Sequence, residues 1–255
     1  MTANPAEALT LKGRLRAGER VLGALVRLPA GPLVEMAAVA GLDFVVVDCE
    51  HGPADLTELQ RHIQEGELHG VPVLVRVGEV EPALILRVLD LGAEGVVVPH
   101  VDTPEEAARA VAWAHYPPLG ERGFATYGRA GRFGSTAASE HLARTAARTL
   151  VVPMLETPRA CAAAGAILAV DGVDSVFVGP ADLAVATGLT GDAAKAAVRA
   201  ATAEVEAAAA RAGRPVTTIV GSAAQARQAP PGAVVYNLTH VLMGTLRELA
   251  APGGD

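Results

Sequence analysis

The sequence predicts a (β/α)8 barrel, an α/β fold in which eight parallel strands alternate with helices. Short apolar runs recur eight times in 255 residues, about 32 residues apart, which is the length of one βα unit. Several runs are continuously apolar, as strands are when helices cover both faces of a parallel sheet. Hydrophobic residues make up 51% of the chain with only 3% aromatic, so its core is built from Ala, Val and Leu. The predicted strands are residues 21–26, 43–48, 72–76, 94–99, 150–156, 174–178, 215–220 and 233–236.

The segments between the strands carry helix start signals. Thr103 is followed by Pro104 and Glu106, a capping Thr with Pro at the first helical position and Glu at the third. A doubly wound sheet is the alternative, but no GxGxxG follows a strand and no GxxxxGK[ST] occurs. We interpret the chain, 1–255 with a core of about 10–250, as a single domain. Its longest irregular stretch, 116–139, is expected to cover the site or contact another subunit.

Charge and composition exclude several classes of protein. The net charge of −7 argues against nucleic-acid binding. No apolar run approaches the ~18 residues of a membrane span, and the N-terminus lacks the order of a signal peptide. Cys49 and Cys161 form no disulfide framework. We therefore expect a cytoplasmic protein without a membrane or nucleic-acid partner.

Polar residues follow four of the predicted strands, where the catalytic groups of a barrel lie. These residues are Asp48, His51, Arg76, Glu156 and Asp182. Because the carboxyl ends of the strands meet at one rim, their side chains should converge.

Each of these residues also has an ordinary structural explanation. Glu156 and Asp182 could support helix N-termini, and His51 and His100 could be ordinary loop histidines. Arg76 could pair with one of the two glutamates that follow it within five residues. A Glu, an Asp, a His and an Arg at one mouth would nevertheless cost free energy, through repulsion between like charges and through loss of solvation. This cost favours a functional site over separate structural roles.

The residue types suggest enolate chemistry on a small oxo acid. Two carboxylates suit Mg²⁺ or Mn²⁺ and not a closed zinc site. A divalent ion beside an Arg can bind an oxo acid and stabilise its enolate, while a His moves the proton. The loop that opens the helix after the sixth strand could hold a carboxylate on its N–H groups; it consists of Gly179, Pro180, Ala181 and Asp182. Only two lysines, Lys12 and Lys195, are available for a Schiff base, and neither follows a strand.

Five ordered segments carry a family resemblance. They are VVVDCEHG at 45–52, VLVRV at 73–77, LDLGAEGV at 89–96, YPPLGERG at 116–123 and VGPADL at 178–183. Together they resemble the HpcH/HpaI aldolases, metal-dependent class II enzymes that include 4-hydroxy-2-oxoheptanedioate aldolase. The resemblance implies a barrel that assembles as a homo-oligomer, a hexamer or trimer of dimers, with its last helix exchanged between subunits. It also implies reversible cleavage of a 4-hydroxy-2-oxo acid into pyruvate and an aldehyde.

The resemblance also implies roles for individual residues. Glu156 and Asp182 would hold the metal ion (Mg²⁺, Mn²⁺ or Co²⁺), His51 would act as acid and base, and Arg76 would stabilise the enolate. The amides of Ala181 and Asp182 would bind the pyruvate carboxylate.

The resemblance also implies a carboxylate that raises the basicity of the histidine, and in this sequence that position is Asp90. Because Asp90 should end a helix on the far face of the barrel, it would reach a His51 only across a subunit boundary. Asp48 is the local alternative.

Three departures from the family pattern leave other reactions open. Met154 stands where members commonly have a Gln that touches the oxo acid, and an apolar Met alters the hydrogen-bond donors. Leu25 replaces a common Trp, with Arg27 nearby, and residues 235–240 lack a Gly- and Asp-rich turn. The alternatives are an oxaloacetate decarboxylase, a malyl-thioester lyase and a non-catalytic binding barrel.

Overall fold

Eight parallel strands close into a barrel in which each strand pairs with the next, and β8 pairs with β1. The computed structural model describes residues 9–52, 55–78 and 81–251. The strands are β1 (Val21–Val26), β2 (Phe44–Asp48), β3 (Val73–Arg76), β4 (Gly95–Val98), β5 (Leu150–Leu155), β6 (Val176–Val178), β7 (Val216–Val220) and β8 (Gly232–Asn237). The predicted barrel is confirmed, and every strand lies within two residues of its predicted bounds.

Helices surround the barrel. They are α1 (Leu11–Arg16), α2 (Pro32–Val39), α3 (Leu56–Leu68), α4 (Pro82–Asp90), α5 (Pro104–Ala114), α6 (Ala138–Arg148), α7 (Pro158–Ala162), α8 (Ala164–Leu168), α9 (Pro180–Ala186), α10 (Gly191–Ala212), α11 (Ala223–Gln228) and α12 (Leu238–Ala250). Thr103 caps α5 in a full capping box with Glu106, as predicted. Capping groups of this kind satisfy backbone N–H groups that have no acceptor within the helix.

Alternate strand residues face two different cores. Along β2, Phe44 and Val46 pack inside the barrel, whereas Val45 and Val47 pack between the sheet and the helices. Gly23 makes room for this packing, because a Cβ at Gly23 would lie 2.6 Å from the ring of Phe44. The continuously apolar strands thus follow from burial on both faces.

Helix α1 closes the pole of the barrel at which the strands begin. Leu11 and Leu15 pack into the interior cluster. The buried Lys12 lies 3.1 Å from Asp174 and donates a 2.6 Å hydrogen bond to the carbonyl of Thr149. The carboxyl ends of the strands, at the other pole, therefore form the mouth of the barrel.

The irregular stretch 116–139 lies away from this mouth within its own chain. Arg122 pairs with Asp90 at the end of α4, and Arg129 pairs with Glu67 near the end of α3. Because the helices end beside the strand N-termini, this stretch does not cover the chain's own site. Its contact with another subunit stays a prediction.

Helix α12 presents apolar side chains to its surroundings. It has no buried residue, and its exposed apolar side chains are Leu242, Met243, Leu246 and Leu249. Its exchange between subunits remains a prediction. Within the part of the chain that the structure describes, no helix is both long enough and apolar enough to cross a membrane.

Candidate active site

A cavity of about 320 Å³ opens at the mouth of the barrel. Its walls come from the ends of several strands and from the loops that follow them. The lining includes Leu25, Arg27, Arg76, Met154, Phe177, Gly179, Pro180, Ala181, Asp182, Ile219, Val220, Gly221, Gln225, Asn237 and His240. Arg76 and the loop 179–182, which were expected at one rim from their strand-end positions, therefore line one cavity, and Met154 lines it with them. Their roles stay predictions.

Arg76 is fixed at the end of β3 by two carboxylates. Asp48 lies beside it in the register of β2 and β3. The Nε of Arg76 donates to Oδ1 of Asp48 at 2.9 Å, and its Nη2 donates to Oδ2. Its Nη1 lies 2.8 Å from Oε2 of Glu50, and all three side chains are buried or nearly so. A guanidinium held on two sides in this way presents its charge in one orientation.

Asp48 also pairs with a second guanidinium, that of Arg27. The Nε of Arg27 donates to its Oδ2 at 2.7 Å, and the backbone N–H groups of Glu50 and His51 donate to its Oδ1 at 3.1 Å. Burial opposes ionisation of Asp48, but the hydrogen bonds and charge of Arg76 outweigh it, so the pKa of Asp48 is lowered. Asp48 therefore stays ionised and anchors both arginines.

Glu156 follows β5 with one carboxylate oxygen bound and the other free of partners. The backbone N–H of His100 donates to its Oε2 at 2.9 Å. Its Oε1 is buried and has no hydrogen-bond partner among the described residues. Gly179 keeps space beside this oxygen, because a Cβ at Gly179 would lie 2.8 Å from Oε1. An orphaned carboxylate oxygen of this kind needs a proton or a cation.

Burial is the largest of the effects that raise the pKa of Glu156, and the charges of Glu50 and Asp182 raise it further. The hydrogen bond from His100 acts in the opposite direction. Asp182 lies in the first turn of α9, and its charge is one of those that act on Glu156. This pair fits a divalent cation that takes hard oxygen ligands.

His51 is largely exposed at the same rim. Its side chain is 57% exposed, and its Nε2 lies 4.0 Å from Oε1 of Glu50. Asp48 meets His51 through the backbone N–H and not through the imidazole. Asp90 pairs with Arg122 at the opposite pole, at 2.7 Å. The single chain therefore brings neither Asp48 nor Asp90 to the imidazole.

Two other polar features lie away from the strand ends. A cavity of about 430 Å³ at the opposite pole is rich in arginines, but Arg14, Arg122, Arg129 and Arg148 already pair with carboxylates. Glu35, Glu65 and His69 cluster at the surface around α2 and α3. Neither feature contacts the strand-end residues.

Comparison with known proteins agrees with the resemblance in the sequence. Residues 26–230 match the family model described as HpcH/HpaI aldolase/citrate lyase. The chain belongs to this family.

The relatives of this HpcH/HpaI protein include several aldolases. A pyruvate aldolase from Rhizobium etli is 40% identical over 71% of this chain and 70% of its own length. A 5-keto-4-deoxy-D-glucarate aldolase from Salmonella newport is 37% identical over the same shares of the two chains. The crystal structure of an HpcH/HpaI aldolase/citrate lyase family protein from Burkholderia cenocepacia superposes with a TM-score of 0.86, at 34% identity, and covers 94% of this chain and 97% of that one.

Sequence reasoning missed two contacts in the site of this HpcH/HpaI protein. Glu50 had no assigned role, yet it contacts Arg76 and His100. His100, interpreted as structural, lies 3.1 Å from Glu50 and 3.3 Å from Glu156. Each residue lies two positions beyond the end of a strand, β2 or β4, so the strand-end rule applied to every polar residue would have found them.

Arg76 has different partners from those first considered. Its partners are the carboxylates of Asp48 and Glu50, as described above. Of the two glutamates considered from the sequence, Glu79 lies outside the described residues, and no contact with Glu81 is seen.

Neither lysine lies at the mouth of the barrel. Lys12 is buried at the opposite pole, and Lys195 pairs with Asp192 on α10 at 3.0 Å. A Schiff base formed by either lysine would lie away from the strand-end cluster.

Proposed function

We propose that this HpcH/HpaI family member is a divalent-metal-dependent aldolase that reversibly cleaves a 4-hydroxy-2-oxo acid into pyruvate and an aldehyde. The aldolase relatives support a lyase of aldolase type. The observation that carries the finer proposal is the strand-end cluster, in which a fixed Arg76 accompanies a buried Glu156 with an unpartnered Oε1.

The donor set supports a divalent cation as the cofactor. Glu156 and Asp182 would hold it through carboxylate oxygens, the ligands preferred by Mg²⁺ and accepted by Mn²⁺ and Co²⁺. When bound, the cation would act as a Lewis acid on the oxygens of the oxo acid and favour the enolate. Its positive charge would also offset the cost of keeping Glu156 ionised in a buried position.

Arg76 and the first turn of α9 would bind the pyruvate half of the substrate. The N–H groups of Ala181 and Asp182 belong to the first turn, where backbone donors have no acceptor within the helix. They border the cavity with Arg76 and would bind the carboxylate of the oxo acid. The charge of Arg76 would stabilise the negative charge that develops on the enolate oxygen as the carbon–carbon bond breaks.

His51 would move the protons of the reaction. In the cleavage direction a base takes the proton of the C4 hydroxyl, the C3–C4 bond breaks, and its electron pair goes to C3 as the enolate. An acid then returns a proton to C3 to form the methyl group of pyruvate. Because His51 is exposed at the rim, it can exchange protons with solvent between these steps.

We further propose that the active form is a homo-oligomer. The apolar side chains of α12 are exposed, and such a surface favours coverage by a second copy of the chain. An assembled form is also the condition under which Asp90 of one subunit would reach His51 of another.

Proton exchange of pyruvate tests the enolate step without knowledge of the aldehyde. The protein is incubated with pyruvate in D₂O, with Mg²⁺, Mn²⁺ or Co²⁺ in turn or with a chelator, and loss of the methyl signal is followed by NMR. We expect exchange that depends on the metal ion and that Glu156→Gln and Asp182→Asn abolish. Asp192→Asn, which removes an exposed carboxylate on α10, is the matched control and should exchange normally.

Exchange that persists in the chelated protein would contradict the metal requirement. Absence of exchange with every metal ion would overturn the aldolase proposal. Release of CO₂ from oxaloacetate by that same protein would then identify the decarboxylase alternative.

A further inference from the structure

Six arginines line the cavity of about 430 Å³ at the pole where the strands begin. This cavity lies between the loop 122–132 and helices α1, α3, α4 and α6, at the opposite end of the barrel from the candidate active site. Positive side chains outnumber negative ones in its lining, although the net charge of the chain is −7. The arginines are Arg14, Arg122, Arg129, Arg132, Arg144 and Arg148, and the carboxylates are those of Asp43, Glu67 and Glu94.

Two of the six arginines are not neutralised. Four of them pair with carboxylates. Arg132 and Arg144 form no ion pair with a carboxylate in the part of the chain that the structure describes. Arg144 donates to the backbone carbonyl of Ala130 and lies 3.5 Å from Nδ1 of His141. The cavity therefore carries two positive charges that a ligand could neutralise.

Two other lining arginines each have a buried donor without an acceptor. The Nε groups of Arg122 and Arg129 are buried and make no hydrogen bond to a described residue, although both side chains pair with carboxylates through Nη2. The side chain of Arg122 is only 1% exposed. Because buried donors are almost always paired in folded proteins, these two indicate an acceptor that the described residues do not supply.

The positive charge of this pole also acts on neighbouring histidines. The pKa of His115 is lowered to about 4, first by burial and then by the charges of Lys12 and Arg122. The pKa of His141 is lowered by burial and by the charges of Arg144 and Arg122. Besides burial, the cause common to both histidines is a positive potential, which attracts anions.

We propose that this cavity binds the phosphate group of a small organic phosphate monoester. Such a group carries about −1.5 to −2 charges at pH 7 and three acceptor oxygens. It therefore matches two unpaired guanidinium charges together with two unpaired N–H donors. A carboxylate has one charge and two oxygens, and would leave part of this set without a partner.

The size of the cavity supports an organic ligand. Its volume lies within the roughly 300–1,000 Å³ that is usual for small-molecule sites. A phosphate group alone would leave most of this space unfilled. The inference concerns a second site and does not depend on the proposed aldolase function.

Arg132→Gln and Arg144→Gln test the proposal. Each removes a charge that has no carboxylate partner, so neither variant breaks an ion pair between described residues. Arg199→Gln removes an exposed arginine on α10, away from the cavity, and is the matched control. Because Arg144 also bonds the carbonyl of Ala130, Arg144→Gln could fail to fold. The exposed Arg132 then provides the decisive variant.

The measurement is isothermal titration calorimetry on the metal-free protein in the presence of chelator. The probes are glycerol 3-phosphate, glucose 6-phosphate, adenosine 5′-monophosphate and inorganic phosphate. We expect at least one ester to bind at one site per chain and roughly tenfold more tightly than inorganic phosphate, because its organic part is also buried. Each arginine variant should weaken binding of that ester about tenfold, and the control should stay within about twofold of the wild-type protein.

Absence of binding by all three esters would overturn the inference. An affinity within about twofold of wild type in the folded arginine variants would also overturn it, since the ester would then bind elsewhere on the chain. Esters that bind no more tightly than inorganic phosphate would contradict the assignment to an organic phosphate. None of these outcomes requires turnover, so failure of pyruvate exchange would leave this test unaffected.

Discussion

The backbone N–H of His100 holds one oxygen of Glu156 at 2.9 Å and leaves the other oxygen of the same carboxylate without a partner. His100 has a φ of +56°, a left-handed conformation that is uncommon for a residue with a side chain. Strained backbone of this kind is found where a site requires a particular orientation. Here it directs an N–H group at Glu156, and the free Oε1 is then available for a cation.

The space beside Glu156 depends on Gly179. We expect Gly179→Ala to push the carboxylate of Glu156 aside, because the new Cβ would lie 2.7 Å from its Cγ. The variant should lose about 1–3 kcal/mol of stability and bind Mn²⁺ at least tenfold more weakly, as measured by chemical denaturation and electron paramagnetic resonance. Gly165→Ala is the control, since a Cβ there meets nothing within 4 Å. It should gain roughly 0.5–1 kcal/mol, and equal Mn²⁺ binding by both variants would contradict the argument.

Glu156 should reduce the stability of the metal-free protein. Burial and the charges of Glu50 and Asp182 raise the pKa of Glu156. The stability contributed by a group with a raised pKa is present below its unfolded-state pKa and is lost as pH rises through the folded-state value. We therefore expect Glu156→Gln with chelator to be more stable than the wild-type protein at pH 8.

Thermal denaturation from pH 4 to pH 8 checks this expectation. The advantage of Glu156→Gln should shrink as the pH falls towards 4, because the wild-type carboxyl group then takes up its proton. The exposed Asp182→Asn should show no comparable gain. A Glu156→Gln protein less stable than wild type at pH 8 would show that the carboxylate has a stabilising partner.

Asp48, unlike Glu156, should stabilise the folded protein at neutral pH. It is fully buried with two guanidinium groups, so Asp48→Asn should cost about 3–5 kcal/mol at pH 7. Because its hydrogen bonds and ion pair with Arg76 lower the pKa of Asp48 despite burial, its contribution is complete above an unfolded-state pKa of about 3.9. That contribution is lost as pH falls through the lower, folded-state pKa. Urea denaturation at pH 7 and pH 3 should therefore show a smaller difference between the two proteins at pH 3 than at pH 7, and a cost below 1 kcal/mol at pH 7 would contradict this role.

The strands were predictable because burial on both faces leaves a strong local signal. β1 spans the predicted residues, and β5 ends one residue earlier, so that Glu156 begins the loop. Residues that follow the carboxyl ends of barrel strands meet at one mouth, so correct strand ends were enough to bring Arg76 and Asp182 to one cavity.

The partners of these side chains were not predictable in the same way. Arg76 pairs with Asp48, 28 residues away, because of the register of β2 against β3. Glutamates nearer in sequence were the expected partners of Arg76. The register between two parallel strands cannot be predicted from the sequence of either strand alone. The contact of His100 with Glu156 depends on a positive φ that no sequence pattern indicates.

Because Arg76 is held in a fixed orientation, its replacement should reduce catalysis more than it reduces metal binding. Arg76→Lys keeps a positive charge but cannot donate in two parallel directions to Asp48. We expect the kcat of pyruvate exchange to fall by roughly 10²–10³-fold, while the affinity for Mn²⁺ changes less than about threefold. NMR exchange and electron paramagnetic resonance measure the two quantities on the same sample, and a variant that changed only the KM for pyruvate would contradict a role at the enolate.

The apolar face of α12 predicts that assembly depends on this helix. Leu246 is 48% exposed in the single chain. If a second copy covers it, Leu246→Glu buries a charge in the contact and should shift the sedimentation coefficient of the protein towards that of the monomer. Arg247→Glu changes the charge at the adjacent position without entering the apolar face and is the control. If Asp90 acts on His51 across the same boundary, pyruvate exchange should fall together with assembly in Leu246→Glu. Normal exchange by a monomeric Leu246→Glu protein would show that one chain carries the complete site.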